Sequence, residues 1–194
     1  MCSWCWGFHS TWQKIVRKLP SDIQLQYLLG GLAPDSDEPM PEAMQIDIAG
    51  YWHNIQKVIP GTKFNFDFWA NCQPRRSTYP ACRAVIAARK QRADAEQEMI
   101  TAIQHGYYLN AQNPSNDNTL LKFSILLGLD PQEFLIDLNS QETQQELEQE
   151  IHFSRQIGAR GFPSMIIEKQ GKYQAVPLDY NKPEVAVDFI CSFA

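Results

Sequence analysis

The chain opens with Met1-Cys2-Ser3-Trp4-Cys5-Trp6-Gly7-Phe8. Two cysteines three positions apart begin an apolar run that is typical of a helix start, so the spacing predicts both sulfurs on one helix face, within one turn. A thiol at a helix N-terminus lies near unpaired backbone N–H groups and the positive end of the helix dipole, which favour the thiolate. Because the thiolate is the nucleophile in disulfide exchange, we expect Cys2 to attack and Cys5 to resolve the mixed disulfide.

The same spacing has two other interpretations. Half of a zinc site would need two more Cys or His ligands, usually as a second close pair. Cys72 and Cys82 are ten positions apart, and the four histidines are scattered along the chain. A buried structural pair is the other interpretation, since free cysteine is a common core residue.

Composition limits the function classes. A net charge of −5 and a pI of about 5.3 leave no basic footprint for nucleic acid or anionic lipid. No apolar run has transmembrane length, and no signal peptide is recognised before Cys2. An odd cysteine count argues against a disulfide-stapled secreted scaffold. Together with the cysteine pair, these features predict a redox protein of the cytoplasm. We expect it to have no bound cofactor or metal and no nucleic-acid or membrane partner.

Periodicity predicts an α/β fold interrupted by helices. After a first helix over residues 8–19, residues 23–29 alternate and then turn apolar, which predicts a buried strand ended by Gly30. A short extended piece is expected at 63–69. Strand signals return only at 165–168 and 173–176, which predict a hairpin around the Gln170-Gly171 turn. The remaining predicted helices cover residues 41–59, 81–92, 94–109, 120–129, 132–138, 142–157 and 183–193.

Pro163 is the second candidate functional feature of the sequence, after the cysteine pair. It stands in a Gly-rich turn directly before the hairpin, where an X–Pro bond can be cis. A cis bond there would expose the backbone N–H and C=O of Phe162 to an extended substrate and would place a backbone wall against the reactive thiol. The other interpretation is an ordinary turn proline.

The sequences CSWCWGF, YPACRAVIAA and GARGFPSMII together resemble the DsbA-like thiol–disulfide oxidoreductases, and most of all their branch of predicted protein-disulfide isomerases related to the FrnE proteins. The resemblance covers nearly the whole chain. It implies a thioredoxin-like domain at residues 1–33 and 151–194 and a helical insertion at 34–150. It also implies that Cys2 and Cys5 are the redox pair and that Pro163 is the cis-proline facing them.

The chain departs from this family in three places. The family has a β-strand before its active-site helix, so we expect a first strand to be lacking from this chain and present in the native gene product. Ser3-Trp4 replaces the Pro-His of periplasmic oxidants, so a strongly oxidising potential is not implied. The additional cysteines, Cys72, Cys82 and Cys191, are interpreted as structural.

The sequence therefore predicts an enzyme, a disulfide oxidoreductase or isomerase. Cys2, Cys5 and Pro163 are its catalytic candidates, and Ser3, Trp4 and Phe162 are its substrate-binding candidates. The expected partners are protein or peptide thiols and disulfides, with glutathione as a further candidate.

Two alternatives remain open. One is a glutathione-dependent enzyme resembling kappa-transferases or 2-hydroxychromene-2-carboxylate isomerases, in which a serine commonly replaces the first cysteine. The other is a non-enzymatic peptide-binding module that uses the groove beside Pro163, with Trp4, Trp6 and Phe162 as its contact surface.

Overall fold

The structure is a computed structural model that describes residues 1–193. The helices are α1 (Ser3–Lys18), α2 (Glu42–Val58), α3 (Asp67–Asn71), α4 (Tyr79–Gln91), α5 (Ala95–Leu109), α6 (Asp117–Leu126), α7 (Pro131–Leu138), α8 (Gln141–Gln156) and α9 (Pro183–Phe193); the strands are β1 (Ile166–Lys169) and β2 (Lys172–Ala175). The predicted helices are all present, although α1 begins at Ser3 and not at residue 8. No helix within residues 1–193 is long and apolar enough to cross a membrane.

The chain divides into two compact units. One contains residues 2–30, 55–62 and the segment from 150 onward; the other contains residues 31–54 and 63–149, together with Met1. Helices α2 and α8 therefore each contribute to both units. The predicted domain boundaries stay a prediction.

The core of the first unit lies between α1 and α9. Phe8 and Ile15 on α1 are buried with Ala186 and Ile190 on α9, and Val176 follows β2 into the same cluster. The apolar positions of α1 recur at helical spacing, so one face of the helix is buried while its basic residues remain in solvent. This packing fixes the start of α1, where the cysteines lie.

Gly7 allows another close approach in the same unit. A Cβ built on Gly7 would lie 2.7 Å from Cδ1 of Ile59 and 2.9 Å from Cγ2 of Ile55. Real Cβ atoms do not come this close to a neighbour, so a glycine is needed for α1 to contact residues 55–62.

The predicted hairpin is present, with its strands shifted by one residue. β1 and β2 are antiparallel, and Ile166 pairs with Ala175 while Lys169 pairs with Lys172. The turn is made by Gln170 and Gly171, which have φ values of 55° and 77°. Two positive φ angles are the geometry of a type I′ turn, whose twist matches that of the strands.

The prediction of a buried strand at residues 23–29 is wrong for this structure. Within residues 1–193, β1 and β2 form one two-stranded sheet, and residues 23–29 have no ladder partner. Other groups take up part of their hydrogen bonding: Leu29 N–H donates to Oε2 of Glu150 at 2.7 Å, and Nε1 of Trp12 donates to the Tyr27 hydroxyl at 3.0 Å. Burial is also incomplete, since Leu25 is 45% exposed. The expectation of a strand ahead of Cys2 stays a prediction.

The second unit is built around α4. Its alanines and β-branched residues from Ala84 to Ala88 are fully or almost fully buried, and α5, α6 and α7 pack against it. The guanidinium of Arg83 donates to both carboxylate oxygens of Asp35, at 2.7 and 2.9 Å, and its Nε donates to the Leu138 carbonyl at 3.1 Å. Small residues on α4 let its neighbours approach closely. Arg83, which also donates to Oε1 of Gln144 at 2.9 Å, connects the first turns of α4 to three other segments.

An aromatic cluster surrounds Trp52, which is fully buried in the second unit. The ring of Phe64 stacks on it with centroids 4.8 Å apart, and Trp69 lies 5.0 Å away. Residues 63–69 were expected to be extended. Instead, α3 begins within them at Asp67, because their aromatic side chains turn inward to Trp52 and do not alternate between two faces.

Candidate active site

The N-terminus of α1 presents the two cysteines. Cys2 is the N-cap residue, with extended backbone angles (φ −92°, ψ 115°), and its carbonyl accepts a hydrogen bond from the N–H of Trp6 at 3.3 Å. No side chain caps this end, and the first turn contains no acidic residue. The positive end of the helix dipole therefore acts on the two half-buried sulfurs.

The hydrogen bond from the Cys5 thiol is the main reason that the pKa of Cys2 falls from 9.0 to about 7. Backbone N–H groups of Cys5 and Trp4 lower this pKa further, while burial acts against them. At neutral pH a large fraction of Cys2 is consequently thiolate. A lowered pKa of this kind is typical of a nucleophilic thiol.

The same hydrogen bond has the opposite effect on Cys5. As the donor to Cys2, Cys5 keeps its proton, and burial adds to this, so its pKa lies well above the ordinary thiol value. The pair therefore consists of one thiolate and one protected thiol. The assignment of an attacking role to Cys2 and a resolving role to Cys5 stays a prediction.

The loop before β1 meets the first cysteine. The Phe162–Pro163 peptide bond is cis, as predicted. The Cys2 thiol, when protonated, donates to the Phe162 carbonyl, with Sγ and O 3.5 Å apart. The predicted proximity of this loop to Cys2 is thus confirmed, while a catalytic role for Pro163 stays a prediction.

The two residues between the cysteines differ in their exposure. Ser3 is buried in the first turn of α1, with 9% of its surface exposed, whereas Trp4 is half-buried. Phe162 is 40% exposed. Trp4 and Phe162 can therefore offer surface to a substrate, and the assignment of Ser3 to substrate contact stays a prediction.

Tyr180 is part of this site, and the sequence analysis missed it. Its ring lies 5.2 Å from that of Trp4 and meets the edge of Phe8 at 5.6 Å. The buried hydroxyl of Thr11 donates to the Tyr180 backbone carbonyl. Tyr180 thus joins the loop before α9 to the active-site turn.

The Tyr180 phenol stays protonated at neutral pH. Burial, followed by the negative charges of Cys2 and Cys5, raises its pKa to about 12. It is a neutral neighbour of the dithiol. The segment LDYNKP that contains Tyr180 has no motif that could have indicated this role.

The remaining cysteines have separate environments. Cys72 donates to the Ala111 carbonyl at 3.0 Å, and burial raises its pKa. Cys82 is half-buried in the first turn of α4, and Cys191 is exposed on α9. In the part of the chain that the structure describes, no three His, Cys, Asp or Glu side chains are grouped to hold a metal ion.

Comparison with known families identifies the fold. The model of the DSBA-like thioredoxin domain matches residues 1–182. The chain belongs to this family. The predicted fold class, an α/β thioredoxin-like fold with a large helical insertion, is thereby confirmed.

Solved structures of similar proteins share this DSBA-like fold. A candidate protein disulfide isomerase from Nitrosomonas europaea superposes with a TM-score of 0.83 at 22% identity, over 100% of this chain and 92% of that one. The cytosolic disulfide reductase DsbM from Pseudomonas aeruginosa superposes with a TM-score of 0.78 at 19% identity, over 100% and 94% of the two chains. DsbM has also been solved with glutathione. At these identities the likeness concerns the fold.

A curated relative is described as an adapter protein and not as a redox enzyme. The ClpXP adapter protein SpxH from Halalkalibacterium halodurans is 21% identical over 170 residues, which are 86% of this chain and 55% of that protein. This DSBA-like chain thus spans about half the length of the curated relative that it matches.

Proposed function

We propose that this protein is a thiol–disulfide oxidoreductase that acts on protein disulfides through Cys2 and Cys5. Membership of the DSBA-like family supports disulfide redox chemistry. The observation that carries the proposal is the arrangement of Cys2, which receives a hydrogen bond from the Cys5 thiol and lies 3.5 Å from the carbonyl of the loop before β1. Such a thiolate is an efficient nucleophile at neutral pH.

The reduction of a substrate disulfide takes two exchanges. The Cys2 thiolate attacks one substrate sulfur, an S–S bond forms between them, and the second substrate sulfur leaves as a thiolate that takes up a proton. Cys5 then loses its proton and attacks Sγ of Cys2, which releases the first substrate sulfur as a thiolate. The substrate gains two electrons from the dithiol and two protons, one from Cys5 and one from the solvent, and Cys2 and Cys5 become a disulfide. Isomerisation uses the first exchange and its reverse.

The proposed substrate contacts lie beside Cys2. The Phe162 carbonyl and the half-buried Trp4 ring can contact an extended peptide that carries the disulfide, by backbone pairing and apolar contact. Pro163 follows directly and holds the same loop, so we assign it to the catalytic machinery. We include Ser3 among the proposed substrate contacts only because its backbone lies between the two cysteines.

Two thiols must reduce the Cys2–Cys5 disulfide after each turnover. We assign this step to glutathione: two glutathione molecules supply the electrons and leave as glutathione disulfide. The glutathione complex of DsbM supports this assignment, and the description of DsbM as cytosolic supports a cytoplasmic location here.

The test is reduction of insulin with glutathione as the reductant. We expect Cys2→Ser to abolish turnover and Cys5→Ser to accumulate mixed disulfides with insulin. Cys191→Ser is the matched control, since it removes an exposed thiol on α9, and it should leave the rate unchanged. If all three variants still reduce insulin at the rate of the unmodified protein, the proposal is refuted.

A second candidate function is binding without redox turnover, favoured by the adapter description of SpxH. A protein of that type would hold a partner in the groove beside Pro163. Its partner binding would survive replacement of Cys2 by serine, whereas the mixed disulfides of the oxidoreductase would not. A partner that stays bound to Cys2→Ser under reducing conditions would favour the adapter.

A further inference from the structure

The ring of Phe162 packs directly against Gly30. A Cβ built on Gly30 would overlap Cε1 of that ring and would lie 2.6 Å from Cζ and 3.0 Å from Cδ1. The backbone of Gly30 has no positive φ, unlike that of Gly31, where φ is 56°. Space for the ring, and not backbone conformation, is therefore what requires a glycine at position 30.

A hydrogen bond holds the backbone next to Gly30. The neighbouring Leu29 N–H donates to Oε2 of Glu150 on α8 at 2.7 Å, within the same compact unit. The ring of Phe162, by contrast, belongs to a residue that is 40% exposed and can turn toward solvent. If a side chain were added at Gly30, the ring would move and the backbone would stay.

The same residue, Phe162, contacts Cys2 through its backbone carbonyl. The carbonyl of Phe162 is 3.5 Å from Sγ of Cys2, so Phe162 lies in the loop segment that a peptide reaching this sulfur must pass. A substrate disulfide in a protein brings flanking residues to this segment, whereas a small disulfide does not.

We infer that Gly30 is a positioning residue for substrate recognition: it sets the position of the Phe162 ring in the loop that meets Cys2, and the ring contacts residues that flank the disulfide of a protein substrate. The inference rests on the proposed function and adds a specificity element to it. Gly30 touches neither the substrate nor the reacting sulfurs, and it acts through the ring.

A double-mutant cycle tests this inference. The variants are Gly30→Ala, Phe162→Ala and the combination of both. Gly161→Ala is the matched control, because a Cβ at that position of the same loop would meet no atom within 4 Å. For each protein we would measure kcat and KM with insulin, kcat/KM with hydroxyethyl disulfide, and the rate of Cys2 alkylation by iodoacetamide.

We expect Gly30→Ala to raise the KM for insulin about fivefold, since the loss of one aromatic contact changes affinity about two- to tenfold. Its kcat, its activity on hydroxyethyl disulfide and its Cys2 alkylation should stay at the level of the unmodified protein and of Gly161→Ala. Phe162→Ala should raise the KM for insulin by a similar factor. The two changes combined should have no larger effect than either alone, since the ring is already lost.

Each other outcome has a defined meaning. A normal KM for Gly30→Ala, or an effect that adds to that of Phe162→Ala, would overturn the inference and leave the proposed function intact. Slower alkylation of Cys2 in Gly30→Ala would also overturn it, because the substitution would then act on the thiol and not through the ring. If the unmodified protein reduces neither disulfide, the proposed function itself fails, and the inference fails with it.

Discussion

Replacing Cys5 by alanine should raise the pKa of Cys2. The Cys5 thiol is the largest contributor to the fall of this pKa from 9.0 to about 7. At pH 7 a thiol with a pKa of about 7 is roughly half ionised, and one with a pKa of 9 is about one hundredth ionised. Complete loss of the effect would therefore lower the thiolate fraction about fiftyfold.

The rate of disulfide exchange changes by less than the thiolate fraction. Nucleophilicity rises with pKa along a Brønsted slope of about 0.4–0.5, so two pKa units make the remaining thiolate about six to ten times more reactive. The net rate at pH 7 should fall about five- to eightfold, while at pH 10 the variant should react faster than the unmodified protein. Burial, which raises the Cys2 pKa, and the backbone N–H groups of Trp4 and residue 5, which lower it, both remain in the variant.

The assay is the pH profile of Cys2 reacting with a small aromatic disulfide. The reaction is quenched in acid, and loss of the Cys2 thiol is quantified by peptide mass spectrometry. Cys5→Ser should give an intermediate pKa, since a hydroxyl can still donate a hydrogen bond, and Cys191→Ala should keep the original profile. A Cys5→Ala profile that still has its midpoint near pH 7, without crossing the original profile at high pH, would refute the reasoning.

Three further predictions concern the surroundings of the site and the fold. Tyr180→Ala should slow insulin reduction about two- to tenfold, because an aromatic pair contributes about 0.5–1.5 kcal/mol, and Tyr180→Phe should keep the rate. Trp52→Ala should lower the urea-measured free energy of unfolding by about 3–5 kcal/mol, whereas Leu126→Ala, at a position 80% exposed, should change it by under about 0.5 kcal/mol. Arg83→Met should lower the free energy of unfolding by about 1–3 kcal/mol, since the bidentate contact with Asp35 and the hydrogen bond to the Leu138 carbonyl are lost. An unchanged free energy of unfolding would contradict this prediction.

Local signals account for what the sequence predicted correctly. Helices such as α4 and α9 bury one or more faces at a 3.6-residue period, and the Gln170-Gly171 pair suits the two positive φ angles of the hairpin turn. The place of Cys2 and Cys5 at the start of a helix is a local signal of the same kind, while their catalytic roles stay a prediction. Each of these features depends on residues within a few positions of one another.

Residues 23–29 show where such reasoning fails. Their alternation fits a strand, but strand formation depends on a second segment that supplies the ladder, and its presence cannot be derived from the segment itself. In the described residues 1–193, Glu150 binds the Leu29 N–H in place of a neighbouring strand. A pattern of apolar residues indicates that a segment can be buried, and it does not indicate what covers it.

The Gly30-Gly31 pair shows the same limit inside the candidate site. The sequence offers one interpretation for both glycines, the end of an apolar run, yet the structure gives them different reasons. Gly31 has a positive φ, which any sequence-based turn rule could accommodate. Gly30 is needed for an aromatic ring 132 positions later in the chain. Tyr180, which reaches Trp4 across a similar separation, was missed for the same reason: a residue that positions a site through one distant contact has no local pattern of its own.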